Sequence, residues 1–164
     1  KKAIKAINKE IIISTTKIVN KYFKTYFAIK KPKIAIAGLN PHIGENGNFG
    51  NEEQKIIIPA IKKIKKQKIN ISGPYPADTI FNQNFSKKFN VIICMYHDQA
   101  TMPLKIIDFD NGVNITLGLP IIRTSPDHGT ALNISGKNKA SEKSLYSAIK
   151  LSQKIAKKKK FWIQ

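Results

Sequence analysis

Val91-Ile92-Ile93-Cys94-Met95-Tyr96-His97-Asp98-Gln99-Ala100 joins an apolar run to a polar cluster. Its first five residues have the length and branched apolar content of a buried strand. A histidine and an aspartate therefore fall where the strand ends, which is where open α/β sheets bind ligands. With the amine of Lys105 a little further on, these groups can ligate a metal, move a proton or hold an anion. A hydrogen-bonded loop histidine fits the same residues.

Upstream of this stretch the pattern alternates. Ile11, Ile18, Val19, Tyr22, Phe23 and Tyr26 recur at helical spacing, with Asn8 or Ser14 available as the cap. Lys31-Pro32 breaks that helix, and Ile34 to Gly38 reads as a short buried strand. A polar, glycine-rich loop runs from Leu39 to Gly50. Asn51 is placed to cap the next helix, Glu52 and Glu53 suit its dipole, Ile57, Ile61 and Ile64 form its apolar face, and Pro59 should kink it. Ile69 to Ile71 reads as a strand, and Gly73-Pro74-Tyr75-Pro76-Ala77-Asp78-Thr79 as a rigid turn leading into a short helix through Phe81. Helix, strand, helix, strand, short helix, strand is the order of an α/β sheet.

Downstream the alternation stops. Short apolar pieces, Val113 to Leu117 and Leu119 to Ile122, lie among glycines and prolines between Asp108 and Ala140. Long polar loops on a scaffold commonly carry function. Ser141 can cap a final helix reaching about Lys159, with Leu145, Ala148, Ile149 and Ile155 facing inward.

Composition narrows the classes. A chain of 164 residues with 41% hydrophobic content suits one ordinary domain or two incomplete ones. Lysine and arginine number 29 against 10 acids, a formal charge of +19. The basic residues (Lys1, Lys2, Lys5, Lys62, Lys63, Lys65, Lys66, Lys157 to Lys160) are spread over helix faces and ends, with no aromatic stacking repeat between them, so no nucleic-acid partner is expected. Cys94 is the single cysteine and excludes an internal disulfide, which fits a reducing compartment. No apolar run reaches membrane-spanning length, and a soluble cytoplasmic protein without a membrane partner is the expectation.

Several constellations carry possible chemistry. His42 and His97 each follow an expected strand, so one sheet edge can bring them together, with Asp98, Asp78 or a residue of another chain as a third ligand. The spacing matches neither HExxH nor CxxC, and two independent loop histidines remain an alternative. Gly38, Gly44, Gly47 and Gly50 can cradle an anion or simply make tight turns. Lys105, Asn114 and Arg123, the only arginine of the chain, make a clamp for phosphate or carboxylate. Asp127-His128-Gly129-Thr130-Ala131 can wrap a nucleotide or serve as a plain turn.

Taken in order, Gly38-Leu39-Asn40-Pro41-His42-Ile43-Gly44-Glu45, Gly73 to Thr79, Tyr96-His97-Asp98-Gln99, Val113 to Pro120 and Arg123 to Ala131 closely resemble the 4-hydroxythreonine-4-phosphate dehydrogenase family of pyridoxal phosphate biosynthesis. The resemblance covers nearly the whole chain. It implies an NAD-dependent, or NADP-dependent, oxidation and decarboxylation of a small phosphorylated amino acid, assisted by a divalent metal (Zn, Mg or Co). His42 and His97 correspond to metal ligands, Asp78 and Asp98 to acidic neighbours of the metal, and Lys105, Asn114 and Arg123 to substrate-binding residues. The loop from Asp127 through His128, Gly129 and Thr130 to Ala131 also resembles the nucleotide loop of isocitrate and isopropylmalate dehydrogenases, and so is the candidate NAD contact.

That family implies an α/β fold of isocitrate/isopropylmalate dehydrogenase type, with two domains about a cleft, and a homodimer whose metal site takes ligands from both subunits. Its members have about twice this length. Residues 1–164 correspond to the C-terminal portion, beginning just after the position of a further metal histidine, and a separate N-terminal half is a candidate partner. Residues 1–112 then belong to the dimerisation and metal-binding domain, and 113–164 to a returning segment of the nucleotide-contacting domain. Asn48 departs from a position that is often histidine. A non-catalytic remnant that keeps binding or dimerisation, and a sister dehydrogenase of another four-carbon acid phosphate, are the alternatives.

Overall fold

Every residue of Ile34-Ala35-Ile36-Ala37 is buried, because this strand, β1 (Ile34–Ala37), is the middle of a parallel three-stranded sheet. A strand covered on both faces needs no polar alternation, hence its unbroken apolar run. β2 (Ile71–Tyr75) and β3 (Val91–Ile93) flank it in the order β2-β1-β3, with Ile34 opposite both Ile71 and Val91. The structure, a computed structural model, describes residues 5–159, so Lys1, Lys2 and Lys160 lie outside the described residues.

β2 continues through Gly73-Pro74-Tyr75, where a rigid turn is expected from sequence. Proline is tolerated there because β2 is an edge strand, and the register slips by one residue at this point, Ala35 facing Ser72 and Ala37 facing Tyr75. Gly73 is required by the close approach: with φ at +122°, a Cβ would lie 2.5 Å from the Ile36 carbonyl oxygen. The short helix follows later than expected, as α3 (Gln83–Ser86), with Asn82 Oδ1 accepting from the Asn84 N–H.

Helix α1 (Lys9–Tyr26) starts at Asn8, whose Oδ1 accepts from Ile11 N–H at 2.8 Å. Its buried face is Ile12, Ile13, Thr16, Tyr22 and Tyr26, and Ile11 and Ile18 turn outward. Thr16 was invisible to an apolar pattern, since its hydroxyl is satisfied inside the helix by the Ile12 carbonyl at 2.7 Å. The next helical segment opens with a π turn, Glu53–Ile57, and continues as α2 (Ile58–Lys65). No side-chain cap opens it, so the expected Asn51 cap is absent. The wide turn immediately precedes Pro59, which cannot donate to the carbonyl four residues back. Ile57, Ala60, Ile61 and Ile64 are buried here, and α2 packs on β2 and against α1. Together with Ile12, Ile13, Ile34, Ile36, Ile71 and Ile93 they form the hydrophobic core.

Helix α4 (His97–Ile107) follows β3, and the chain divides within it into two compact units, Lys1–Pro103 and Leu104–Gln164. The second unit contains an antiparallel pair, β4 (Val113–Thr116) and β5 (Arg123–Pro126), covered by α5 (Lys143–Lys159). β5 is the polar run after Leu119 to Ile122, not that apolar piece itself. Ser141 Oγ accepts from the Lys143 N–H at 3.4 Å, and the helix opens one residue later than the expected cap, with the Glu142 carbonyl taking the first helical bond, from the Tyr146 N–H. The inward face of α5 carries Ser144, Ala148 and Ile155, whereas Leu145 and Ile149, expected inside, are 49% and 47% exposed.

Candidate active site

Beyond β1 the chain enters a turn, Pro41–Gly47, in which φ stays positive from His42 to Asn46: 50°, 54°, 85°, 39° and 58°. Gly44 alone in that run escapes the Cβ clash, and a left-handed residue otherwise costs on the order of 1–2 kcal/mol. Such backbone persists only where its surroundings fix it. Glu53 supplies that support. Only 1% exposed, its Oε1 accepts from the backbone N–H groups of Leu39 and Asn40, both at 2.8 Å, and its Oε2 from Asn40 Nδ2 at 2.8 Å. At Gly44 a Cβ would stand 2.7 Å from the Gly50 carbonyl oxygen and 3.0 Å from Glu53 Oε2. Asn40 Nδ2 also donates to Glu52 Oε2 at 2.7 Å, and this bond first of all holds the Glu52 carboxyl below the ordinary carboxylate range.

His42 and Asp78 open onto one cavity of about 240 Å³, together with Asn40, Tyr96 and Gln99. His42, Asp78 and Tyr96 each follow the carboxyl end of a strand, β1, β2 and β3 respectively. Gln99, 7% exposed, ties two of these ends together: its Nε2 donates to the Gly38 carbonyl at 2.8 Å, and its Oε1 accepts from the Met95 N–H at 2.7 Å. His97 begins α4, with Nδ1 at 2.9 Å from Asp98 Oδ1, and both side chains are largely exposed. A carboxylate on Nδ1 leaves Nε2 for a ligand, the arrangement that orients metal-binding histidines.

Imidazole and carboxylate donors suit a divalent metal in kind. They are short in number, because among the described residues no group of three or more histidine, cysteine, aspartate or glutamate side chains stands ready to hold an ion. A catalytic site ordinarily takes three protein ligands. Burial pushes the Cys94 thiol up to about 11, so with no cation beside it the thiol stays protonated at neutral pH.

In the second unit, His128, Gly129, Thr130 and Ala131 line a cavity of about 820 Å³ with Lys105 and Phe109. That volume accommodates a cofactor-sized ligand. Nothing lies within 4 Å of a Cβ built on Gly129, so the loop leaves room for close approach. Asp127 is occupied within the protein: its N–H donates to Ser144 Oγ at 3.0 Å, its carbonyl accepts from Lys105 Nζ, and its Oδ2 lies 3.1 Å from that ammonium. Ser144 in turn donates to the Gly112 carbonyl at 2.6 Å. Asn114 and Arg123 share one face of the β4-β5 pair, where Arg123 Nη1 donates to Thr116 Oγ1 at 2.9 Å. The other face turns toward α5, as the Thr124 hydroxyl bonded to the Ala148 carbonyl at 3.0 Å indicates.

The geometry thus groups His42 with Asp78, His97 with Asp98, Lys105 with the Asp127 to Ala131 loop, and Asn114 with Arg123. Glu53, Gln99 and Ser144 escaped assignment from sequence. Nothing in a helix-terminal glutamate, a glutamine after a histidine or a serine on a helix marks it as buried. The only available signal was that each stands beside a loop rich in glycine or chemistry-bearing residues.

Comparison with known proteins identifies the family. Residues 1–152 match the family described as pyridoxal phosphate biosynthetic protein PdxA. The 4-hydroxythreonine-4-phosphate dehydrogenase of Bradyrhizobium diazoefficiens is 49% identical over 94% of this chain and 45% of its own length. The enzyme of the same name from a Sulfurihydrogenibium species is 53% identical over 89% of this chain and 45% of its own. A crystal structure of 4-hydroxythreonine-4-phosphate dehydrogenase from Klebsiella pneumoniae superposes with a TM-score of 0.82 at 39% identity, covering 94% of this chain and 47% of that one. The chain spans about half the length of the curated relatives it matches. By sequence and by its α/β fold, this chain belongs to the PdxA family of pyridoxal phosphate biosynthetic proteins.

Proposed function

We propose that this chain supplies part of the active site of an NAD-dependent, divalent-metal-dependent 4-hydroxythreonine-4-phosphate dehydrogenase. That enzyme oxidises and decarboxylates 4-phosphohydroxy-L-threonine to 3-amino-2-oxopropyl phosphate. The observation carrying this reading is the cavity shared by His42, Asp78 and Tyr96 beyond the carboxyl ends of parallel strands, in a chain 49% and 53% identical to two relatives of that name.

His42 and His97 would hold the metal, with Asp78 and Asp98 as acidic neighbours. When bound, the metal supplies Lewis-acid polarisation and NAD, or NADP, the hydride acceptor. Lys105, Asn114 and Arg123 hold the anionic substrate, lysine as a point charge and arginine through its planar donor fork. His128 to Ala131 line the nucleotide contact, and Asp127 contributes by fixing Lys105. The working form is a cytoplasmic homodimer that shares the metal site and includes the preceding half found in relatives, whether joined or separate.

Combined with that half from a full-length relative, substrate, NAD and Zn²⁺, Mg²⁺ or Co²⁺, the chain is expected to generate NADH absorbance. His42→Ala and His97→Ala are expected to abolish it. A stable complex of both halves that forms no NADH overturns the reading.

A further inference from the structure

We propose that Glu53 and Gln99 are positioning residues of this site, the buried carboxylate setting the backbone that carries His42 and the buried carboxamide setting the strand ends from which the His42 and His97 segments depart. The proposal rests on the reading of His42 and His97 as site residues.

Glu53 is used only as an acceptor, on both oxygens: two backbone N–H groups at Oε1 and one side-chain donor at Oε2. A carboxylate alone provides that pattern at this length. The donors belong to Leu39 and Asn40, just before the left-handed run that begins at His42, and Gly44 within that run abuts the same carboxylate. Glutamine at 53 has one oxygen for these two positions, so its N–H₂ meets either Asn40 Nδ2 or, flipped, the Leu39 and Asn40 N–H groups, and one of the two donor sets loses its acceptor. Gln99 is used as one donor and one acceptor, toward Gly38 and Met95, which precede the His42 and His97 segments. Glutamate at 99 would set an oxygen against the Gly38 carbonyl. Neither residue is needed to complete the apolar core, which is made by isoleucines and an alanine.

The test is NMR on the isotope-labelled chain at a temperature where all variants are folded. Glu53→Gln is expected to speed amide exchange at Leu39 and Asn40 by about tenfold or more and to shift the His42 ring resonances, while the amides of β1 keep their protection. Glu53→Asp, which keeps both acceptors but draws them back by one methylene, is expected to move the same signals. Gln99→Glu should shift the His97 ring and the Met95 amide. If Glu53→Gln does not fold, Asn40→Ala removes one of the same bonds from the partner's side and is expected to shift His42. Ring signals of His42 and His97 that superimpose on the parent's in the folded variants overturn the proposal, whatever happens to thermal stability. Co²⁺ titration of the parent chain judges the metal reading separately, so the two fail on different measurements.

Discussion

Single residues here are governed by what their polar atoms meet. The Cys94 thiol, raised to about 11 by burial, is expected to resist iodoacetamide at neutral pH. Its alkylation rate should climb about tenfold per pH unit on approaching that value. A rate that levels off just above the ordinary thiol value of 9.0, followed by mass spectrometry, would show the thiol to be exposed instead. Glu52 behaves in the opposite sense. Its folded carboxyl is held below the ordinary value of 4.5, so its contribution to stability is present above that value and is lost as pH falls through the lowered one. Urea unfolding should therefore show Glu52→Gln less stable than the parent at pH 7, with the gap closing in acid below 4.5. Asn40, read from sequence as part of a polar loop, is the donor that links both glutamates. That role depends on a loop folding back onto a helix start, which residue type alone does not disclose.

Elements were legible where apolar burial leaves a plain local pattern, an unbroken run in β1, which is covered on both faces, and one apolar stripe in α2. β1 and the isoleucine face of α2 were plain in the sequence because hydrophobic period and burial coincide. α1 and α5 kept their positions, but their buried stripes are rotated from the most apolar one, since Thr16 and Ser144 satisfy their hydroxyls internally. Ser144 joins α5 to the Gly112 carbonyl and the Asp127 N–H, and truncation to alanine leaves both without that partner. Ser144→Ala is expected to cost the second unit about 1–3 kcal/mol, read by denaturant unfolding followed through its amide resonances and by faster exchange of the Asp127 amide. A change within error would mean that water replaces the hydroxyl fully.

For the whole molecule, the chain spans about half the length of the curated relatives it matches, so the activity proposed above is assayed with the remainder of a full-length relative supplied. Large apolar side chains stand outside among the described residues, including Ile106 at 83% and Leu132 at 79% exposure. In the reconstituted enzyme EDTA is expected to remove NADH formation and added Mg²⁺, Zn²⁺ or Co²⁺ to restore it. Full turnover after exhaustive chelation, with no metal found by elemental analysis, would count against a metal-dependent reaction. Among the described residues no helix is long and apolar enough to cross a membrane.

The alternation of helix and strand through β3, the isoleucine face of α2 and the family were legible in the sequence, because periodicity and ordered motifs are local properties that survive without coordinates, whereas α4, which opens at His97 in place of the expected loop, and β5 were not. Only the tertiary structure decided which polar groups are inside. It turned Glu53, read from sequence as a dipole partner, and Gln99, read only as part of a motif, into buried hydrogen-bonding groups beside the His42 and His97 segments, engaged Asp127 with Lys105, and set His42 and Asp78 on one cavity. A buried polar group is stabilised only by partners distant in sequence, and those partners exist only once the sheet has brought the loops together.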